Sequence, residues 1–244
     1  MSPRDLPVWQ LHADIIRALT AGNQLVLVAA TGSGKTTQVP QMLLDAGLAG
    51  TKRIVVLQPR RVAARTVSAR VAWERQGKLG GEVGYQVRFE DHLSAASRLC
   101  FVTEGILLRW LQNDRELRDV GVVMFDEFHE RNLLSDVALA LVKRLQQTTR
   151  PDLKIVVMSA TLEAEPVARY LAGTKRIVVL QPRRVAARTV ASRVAWERQG
   201  KLGDEVGYQV RFEDHLSAAS RLCFVTEGIL LRWLQNDQIG RAHV

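Results

Sequence analysis

Two short stretches carry residue types whose spacing could do chemistry. The first is Ala30-Thr31-Gly32-Ser33-Gly34-Lys35-Thr36-Thr37-Gln38. Glycines let a backbone turn tightly and point its N–H groups at an anion, and a following helix N-terminus adds partial positive charge. Thr31, Gly32, Ser33, Gly34, Lys35, Thr36 and Thr37 therefore form a candidate phosphate cradle. In it Lys35 reaches β and γ phosphates and Thr36 offers a hydroxyl to Mg²⁺. The usual pattern opens with Gly, and here that position is Ala29. The second stretch is Asp126-Glu127-Phe128-His129. An acid at a strand tip facing a phosphate loop can hold Mg²⁺, directly or through water. A neighbouring Glu can orient and deprotonate an attacking water. The blander alternatives are a strand-to-helix turn with a surface lysine, and a solvated acidic turn.

These residues need elements to position them. Gln24–Ala29 is a short apolar run that predicts a buried strand, and Val39–Leu44 predicts a helix after the loop. Pro7–Ala21 has apolar residues at helical spacing and stops at Gly22-Asn23. Buried strands are predicted at Lys52–Pro59, Arg98–Thr103, Gly121–Asp126 and Lys154–Ser159, with a short strand at Val83–Val87. Helices are predicted at Arg60–Gln76, Ile106–Gln112 and Leu134–Gln147. Continuously apolar strands alternating with helices predict a parallel sheet covered on both faces. Ligands of such sheets bind at the carboxyl ends of strands, where every motif here lies.

The chain of 244 residues is 47% apolar and 24% charged, an ordinary globular composition. It has no apolar run near the roughly 18–20 residues that span a bilayer, and its start lacks a signal-peptide core, so a cytoplasmic setting is expected. The two cysteines, Cys100 and Cys223, sit in identical local sequence, so neither a disulfide nor a metal site is supported.

That identity reflects a duplication. Leu48–Asp114 recurs as Leu171–Asp237 with three differences: Ser68 becomes Ala191, Ala69 becomes Ser192 and Gly81 becomes Asp204. Natural repeats drift far more, and both copies open on Leu-Ala-Gly, as a recombination or misassembly join would. The copy carries 11 basic and 7 acidic residues, so with Arg241 it accounts for +5 of the net +9, leaving +4 for residues 1–170. Global charge alone therefore does not establish a nucleic-acid partner. One back-translation of Gln238–Val244, CAG ATC GGA AGA GCA CAC GTC, reads after its first base as a common sequencing adapter. The expected organisation is a lobe at 1–170, a partial duplicate at 171–237 without the glycine loop, and a non-native tail at 238–244. Whether the duplicate packs as an α/β appendage, exchanges with the first copy or stays partly disordered is open.

Ala30–Gln38, Gln58-Pro59-Arg60-Arg61-Val62-Ala63-Ala64, Thr103-Glu104-Gly105, Asp126-Glu127-Phe128-His129-Glu130-Arg131 and Ser159-Ala160-Thr161, in this order, resemble superfamily 2 helicases of the DEAH-box group. Phe128, where Ala is usual, and Val83–Glu90 resemble the bacterial HrpB-type ATP-dependent helicases. The resemblance covers essentially all of residues 1–170. It implies an α/β, RecA-like P-loop NTPase lobe that binds ATP and Mg²⁺ and couples hydrolysis to unwinding of RNA, with DNA left open. It implies that Lys35 and Thr36 bind phosphate and Mg²⁺, that Asp126 holds Mg²⁺, that Glu127 is the catalytic base and that His129 relays nucleotide state. It also implies that Ser159 and Thr161 couple hydrolysis to strand separation. Arg60, Arg61 and Thr103 would touch the nucleic-acid backbone, and Arg70 would stack on adenine; a solvated helix face is the alternative for these arginines. Such helicases use a second lobe that supplies arginine fingers. Without it little turnover is expected, and a nucleotide- or RNA-binding module, or an assembly product never made in a cell, are the alternatives.

Overall fold

A computed structural model describes residues 3–130, 132–160, 167, 170–171, 177–181, 183–197, 199–217, 219–220, 222–226 and 228–229. Arg131, Thr161, Pro182, Glu227 and the tail 238–244 lie outside the described residues. The chain divides into two compact units, Met1–Trp9 with Gly32–Met158, and Gln10–Thr31 with Ser159–Val244.

The first unit holds a six-stranded sheet. Its strands are β2 (Arg53–Leu57), β3 (Val83–Val87), β4 (Glu90–His92), β5 (Leu99–Val102), β6 (Val120–Phe125) and β7 (Lys154–Ser159, of which Ser159 falls in the other unit). The order is β7-β6-β2-β5-β3-β4, parallel except for the β3–β4 hairpin. Helices α2 (Lys35–Asp45), α3 (Arg61–Glu74), α4 (Glu104–Asn113) and α5 (Leu133–Thr148) flank it. Strands β5 and β6 are buried at every residue, and β2 at all but its first. This is the burial expected when helices cover both faces of a parallel sheet, and it explains the near-continuous Ile, Val and Leu. Only β4 was not expected from the sequence. Glu90-Asp91-His92 is polar and half exposed, and it is a strand only because β3 lies antiparallel to it.

The second unit contains α1 (His12–Ala21), β1 (Gln24–Val28) and the duplicated segment. The predicted helix from Pro7 begins instead as a 3-10 turn, Pro7–Leu11, before α1. The duplicate forms β8 (Ile177–Leu180), α6 (Arg184–Glu197), β9 (Val206–Val210), β10 (Glu213–His215) and β11 (Leu222–Val225). These strands run β10-β9-β11-β8, and β8 completes the sheet by pairing parallel with β1.

Candidate nucleotide and nucleic-acid sites

The glycine loop ends at Gly34, which caps α2 with φ 89°. A side chain there would face both left-handed backbone strain and a Cβ contact of 2.8 Å with Leu6 Cδ1. Gly32 has φ 78° with open space where a Cβ would lie. Ser33 is buried, and its Oγ has no hydrogen-bond partner among the described residues. An unpartnered buried hydroxyl beside an open glycine and a helix N-terminus suits a phosphate oxygen.

Lys35, the first residue of α2, is only 3% exposed, and its Nζ donates to Glu127 Oε1 at 3.0 Å. Glu127 sits at φ 47°, unusual for a non-glycine residue. Its other oxygen lies 3.3 Å from His129 Nδ1. Asp126, which follows the last residue of β6, is 4% exposed. It accepts from Gln58 Nε2 at 2.8 Å and from the Glu127 backbone N–H at 2.9 Å, and the nearby Thr36 hydroxyl favours its charged form. Burial pushes its carboxyl up, against the lowering by Gln58 and Thr36. Thr36 and Asp126 together offer hard oxygen donors. Mg²⁺ is commonly held by one or two carboxylates plus substrate phosphates, so these residues fit the ion. The Phe128 ring packs edge-on against Phe125 at 5.8 Å, and its N–H donates to Met158 O. This anchors the turn between the acids and His129.

Behind the loop, Glu74 of α3 collects Gln38 and Gln41 of α2, each at 2.8 Å, and Arg70 at 2.7 Å. Burial alone would raise the Glu74 carboxyl, but these donors outweigh it and hold it below its ordinary value. Trp9 Nε1 donates to Gln38 Oε1 at 3.1 Å. Arg70 is thus tied to Glu74 and stacked on Trp73, with its guanidinium 4.9 Å from the ring. Thr31 and Ser159 belong to the second unit, where Ser159 O accepts the Ala29 N–H at 3.1 Å.

A separate cleft of about 900 Å³ opens on the first unit. It is lined by Arg61, Arg88, Phe89, Thr103, Arg109 and Trp110, among others. Arg60 pairs with Glu130 through two hydrogen bonds, at 3.1 and 3.2 Å. Phe89 is the tip of the β3–β4 hairpin, with φ 73°, 86% exposure and the Arg88 guanidinium 4.7 Å from its ring. Glu104 is buried and accepts from Ser135 Oγ at 2.8 Å, which ties the start of α4 to α5.

The sequence reading named Arg61 and Thr103 but gave no role to Arg88, Phe89, Arg109 or Trp110. The signal was the Val87-Arg88-Phe89-Glu90 step, where an alternating strand breaks at an aromatic. It likewise assigned nothing to Gln58, a polar residue closing an otherwise apolar strand.

A glycine loop capping a helix, with an acid pair at a neighbouring strand tip in a mostly parallel sheet, defines a RecA-like α/β nucleotide-binding fold. The sequence model described as "DEAD/DEAH box helicase" matches residues 9–170, and the chain belongs to that family. It is 46% identical over 168 residues to the "Probable ATP-dependent RNA helicase DHR2" of Saccharomyces cerevisiae, covering 68% of this chain and 23% of that protein. It is 42% identical over 168 residues to the "ATP-dependent RNA helicase HrpA homolog" of Haemophilus influenzae, covering 69% of this chain and 13% of that protein. The chain thus spans under a quarter of the length of either relative. Among the described residues, no helix is long and apolar enough to cross a membrane.

Proposed function

We propose that residues 1–170 are the ATP-binding lobe of an ATP-dependent RNA helicase of the DEAH group, with the HrpB-type Phe128 variant. The observation that carries this reading is the join between loop and acids: Lys35 to Glu127 at 3.0 Å, beside Asp126 held by Gln58 at 2.8 Å. In this reading Thr31–Thr37 wrap the phosphates, with Lys35 neutralising charge on the transferring group. Thr36 and Asp126 hold Mg²⁺, which when bound would neutralise the phosphate oxygens. Glu127 is the base: released from Lys35 by an incoming phosphate, its carboxylate is free to accept a proton from the attacking water. His129, in contact with Glu127, carries nucleotide state outward, and Ser159 and Thr161 couple it to strand movement. Arg70 leaves Glu74 to stack on adenine. Arg61 and Thr103, which line the cleft, and Arg60 next to Arg61 in sequence contact the phosphodiester backbone, which positions a strand without reading its sequence. In phosphoryl-transfer enzymes of this kind, arginine fingers on a facing lobe raise turnover by about 10³–10⁵.

The test is RNA-stimulated phosphate release by the full chain, with nucleotide binding followed separately. Release that falls to background in Lys35→Ala and Glu127→Gln supports the reading. Release indifferent to both substitutions sinks it. Binding with no release at any RNA concentration identifies a nucleotide- and RNA-binding module instead.

A further inference from the structure

The duplicate repeats the cleft's hairpin with its geometry intact. Phe212 has φ 74° against 73° at Phe89, and is 87% exposed. The Arg211 guanidinium lies 4.8 Å from the Phe212 ring. Tyr208 lies tilted against His215 with ring centroids 4.8 Å apart, the same separation as in the stacked Tyr85–His92 pair. The acids on this hairpin are already engaged. Glu213 accepts from Tyr208 at 2.7 Å and from Arg188 at 3.3 Å, and Asp214 accepts from Gln209 at 2.6 Å. The hairpin therefore offers cationic Arg211 and a bare aromatic ring, and Arg184, the counterpart of the cleft-lining Arg61, is exposed at the start of α6. Cations that track phosphates and a ring that stacks on bases are the two parts of a sequence-tolerant single-strand site. The duplicated sequence begins after the glycine loop, so it brings this surface without a second nucleotide site.

We infer that the second unit carries its own binding site for single-stranded nucleic acid, so that the chain takes up two strands for one nucleotide site. The inference rests on the reading of the first cleft as a nucleic-acid surface. Charge complementarity selects the occupant, since the polyanionic backbone pairs with the arginines and exposed bases pair with Phe212.

The test is a stoichiometric titration of the full chain with a short labelled oligouridine, and in a parallel arm oligothymidine, at low salt. Wild type is expected to bind two equivalents. Arg211→Ala/Phe212→Ala and Arg88→Ala/Phe89→Ala are each expected to leave one, and the combined variant none. Arg211→Glu, which keeps the ring and the exposed turn, is expected to lower affinity at one site by about tenfold or more. It should also reduce the salt slope by about one at an unchanged unfolding midpoint. A single equivalent lost in Arg88→Ala/Phe89→Ala and unaffected by the Arg211 variants overturns the second site and leaves the first-cleft reading standing. Binding indifferent to both hairpins overturns both. Two equivalents in only one arm assign the strand chemistry to RNA or DNA and support the inference.

Discussion

The two copies of one sequence, Leu48–Asp114 and Leu171–Asp237, make the same local structure and a different strand end. Both build the hairpin with a positive-φ phenylalanine at its tip, and both hold Tyr against His. Both place glycine where a Cβ would collide with a backbone carbonyl, Gly84 against His92 O and Gly207 against His215 O. They part at the glutamine after the first strand. Gln58 follows β2, whose Leu57 is paired with Phe125 of β6, so Asp126 comes next to it and accepts its amide at 2.8 Å. Gln181 follows β8, whose Leu180 is paired with Leu27 of β1, so the residue alongside is Val28. Gln181 is 3% exposed, and its Nε2 has no acceptor among the described residues. The lesson is that contacts closed within the duplicated segment travel with it, even the pairing of β8 with β11 that repeats β2 with β5. A contact supplied by a strand outside it does not.

The three substitutions barely disturb this. Ser68 Oγ donates to Arg65 O at 2.9 Å, whereas Ala191 is simply buried. Asp204 keeps the turn of Gly81, its N–H donating to Lys201 O at 3.1 Å as that of Gly81 does to Lys78 O at 3.0 Å.

The comparison breaks most visibly at the chemistry. Lys35→Ala is expected to cost about 10²–10³-fold in RNA-stimulated ATP hydrolysis, the scale of losing one preorganised electrostatic group, while Gln181→Ala leaves the rate unchanged. A rate that follows Gln181 would place catalysis in the wrong region. Next in size, Gly84→Ala and Gly207→Ala should each destabilise their own unit by about 1–3 kcal/mol through overpacking. Hydrogen exchange of β3 and β9 distinguishes the two, and protection of β9 unchanged in Gly207→Ala would show that the copy's hairpin is not built as described.

The sign of the third effect differs between copies. Gln58→Leu removes a donor from a buried carboxylate and should cost about 1–3 kcal/mol. Gln181→Leu removes an unpartnered amide and should be neutral or stabilising by up to about 1 kcal/mol. Denaturation midpoints that fall equally in both variants would contradict the strand pairing of β8 with β1. The smallest effect concerns Glu74, whose carboxyl is held below its ordinary value with Arg70, Gln38 and Gln41. Its contribution is present above the unfolded carboxyl value, near 4.5, and is lost as pH falls through the lower folded value. Acid titration of wild type against Glu74→Gln should show a difference of about 0.5 kcal/mol that vanishes at low pH; a difference that grows on acidification would reverse the assigned sign.

Much of the candidate nucleotide site was legible because its parts are local. Glycine spacing, the lysine at a helix start and an acid pair after an apolar run are each written in a few consecutive residues. Arg88 and Phe89 were not, because their use depends on a hairpin whose second strand, β4, is polar and short. Nor was the Glu74 cluster, where α2 and α3 meet through residues more than thirty apart.

By itself the sequence determined the alternation of strands and helices, the glycine loop and the family that it points to, and the duplication. Periodicity and short-range turn chemistry specify these before any long-range contact forms. Only the tertiary structure decided which acid each strand-end glutamine meets, because a buried donor takes the partner that its neighbouring strand presents. It also decided that Lys35 lies against Glu127, across 92 residues of chain. And it decided that β1 supplies the strand on which the duplicated segment closes its sheet, since a parallel strand edge pairs with whatever matching edge the fold brings beside it.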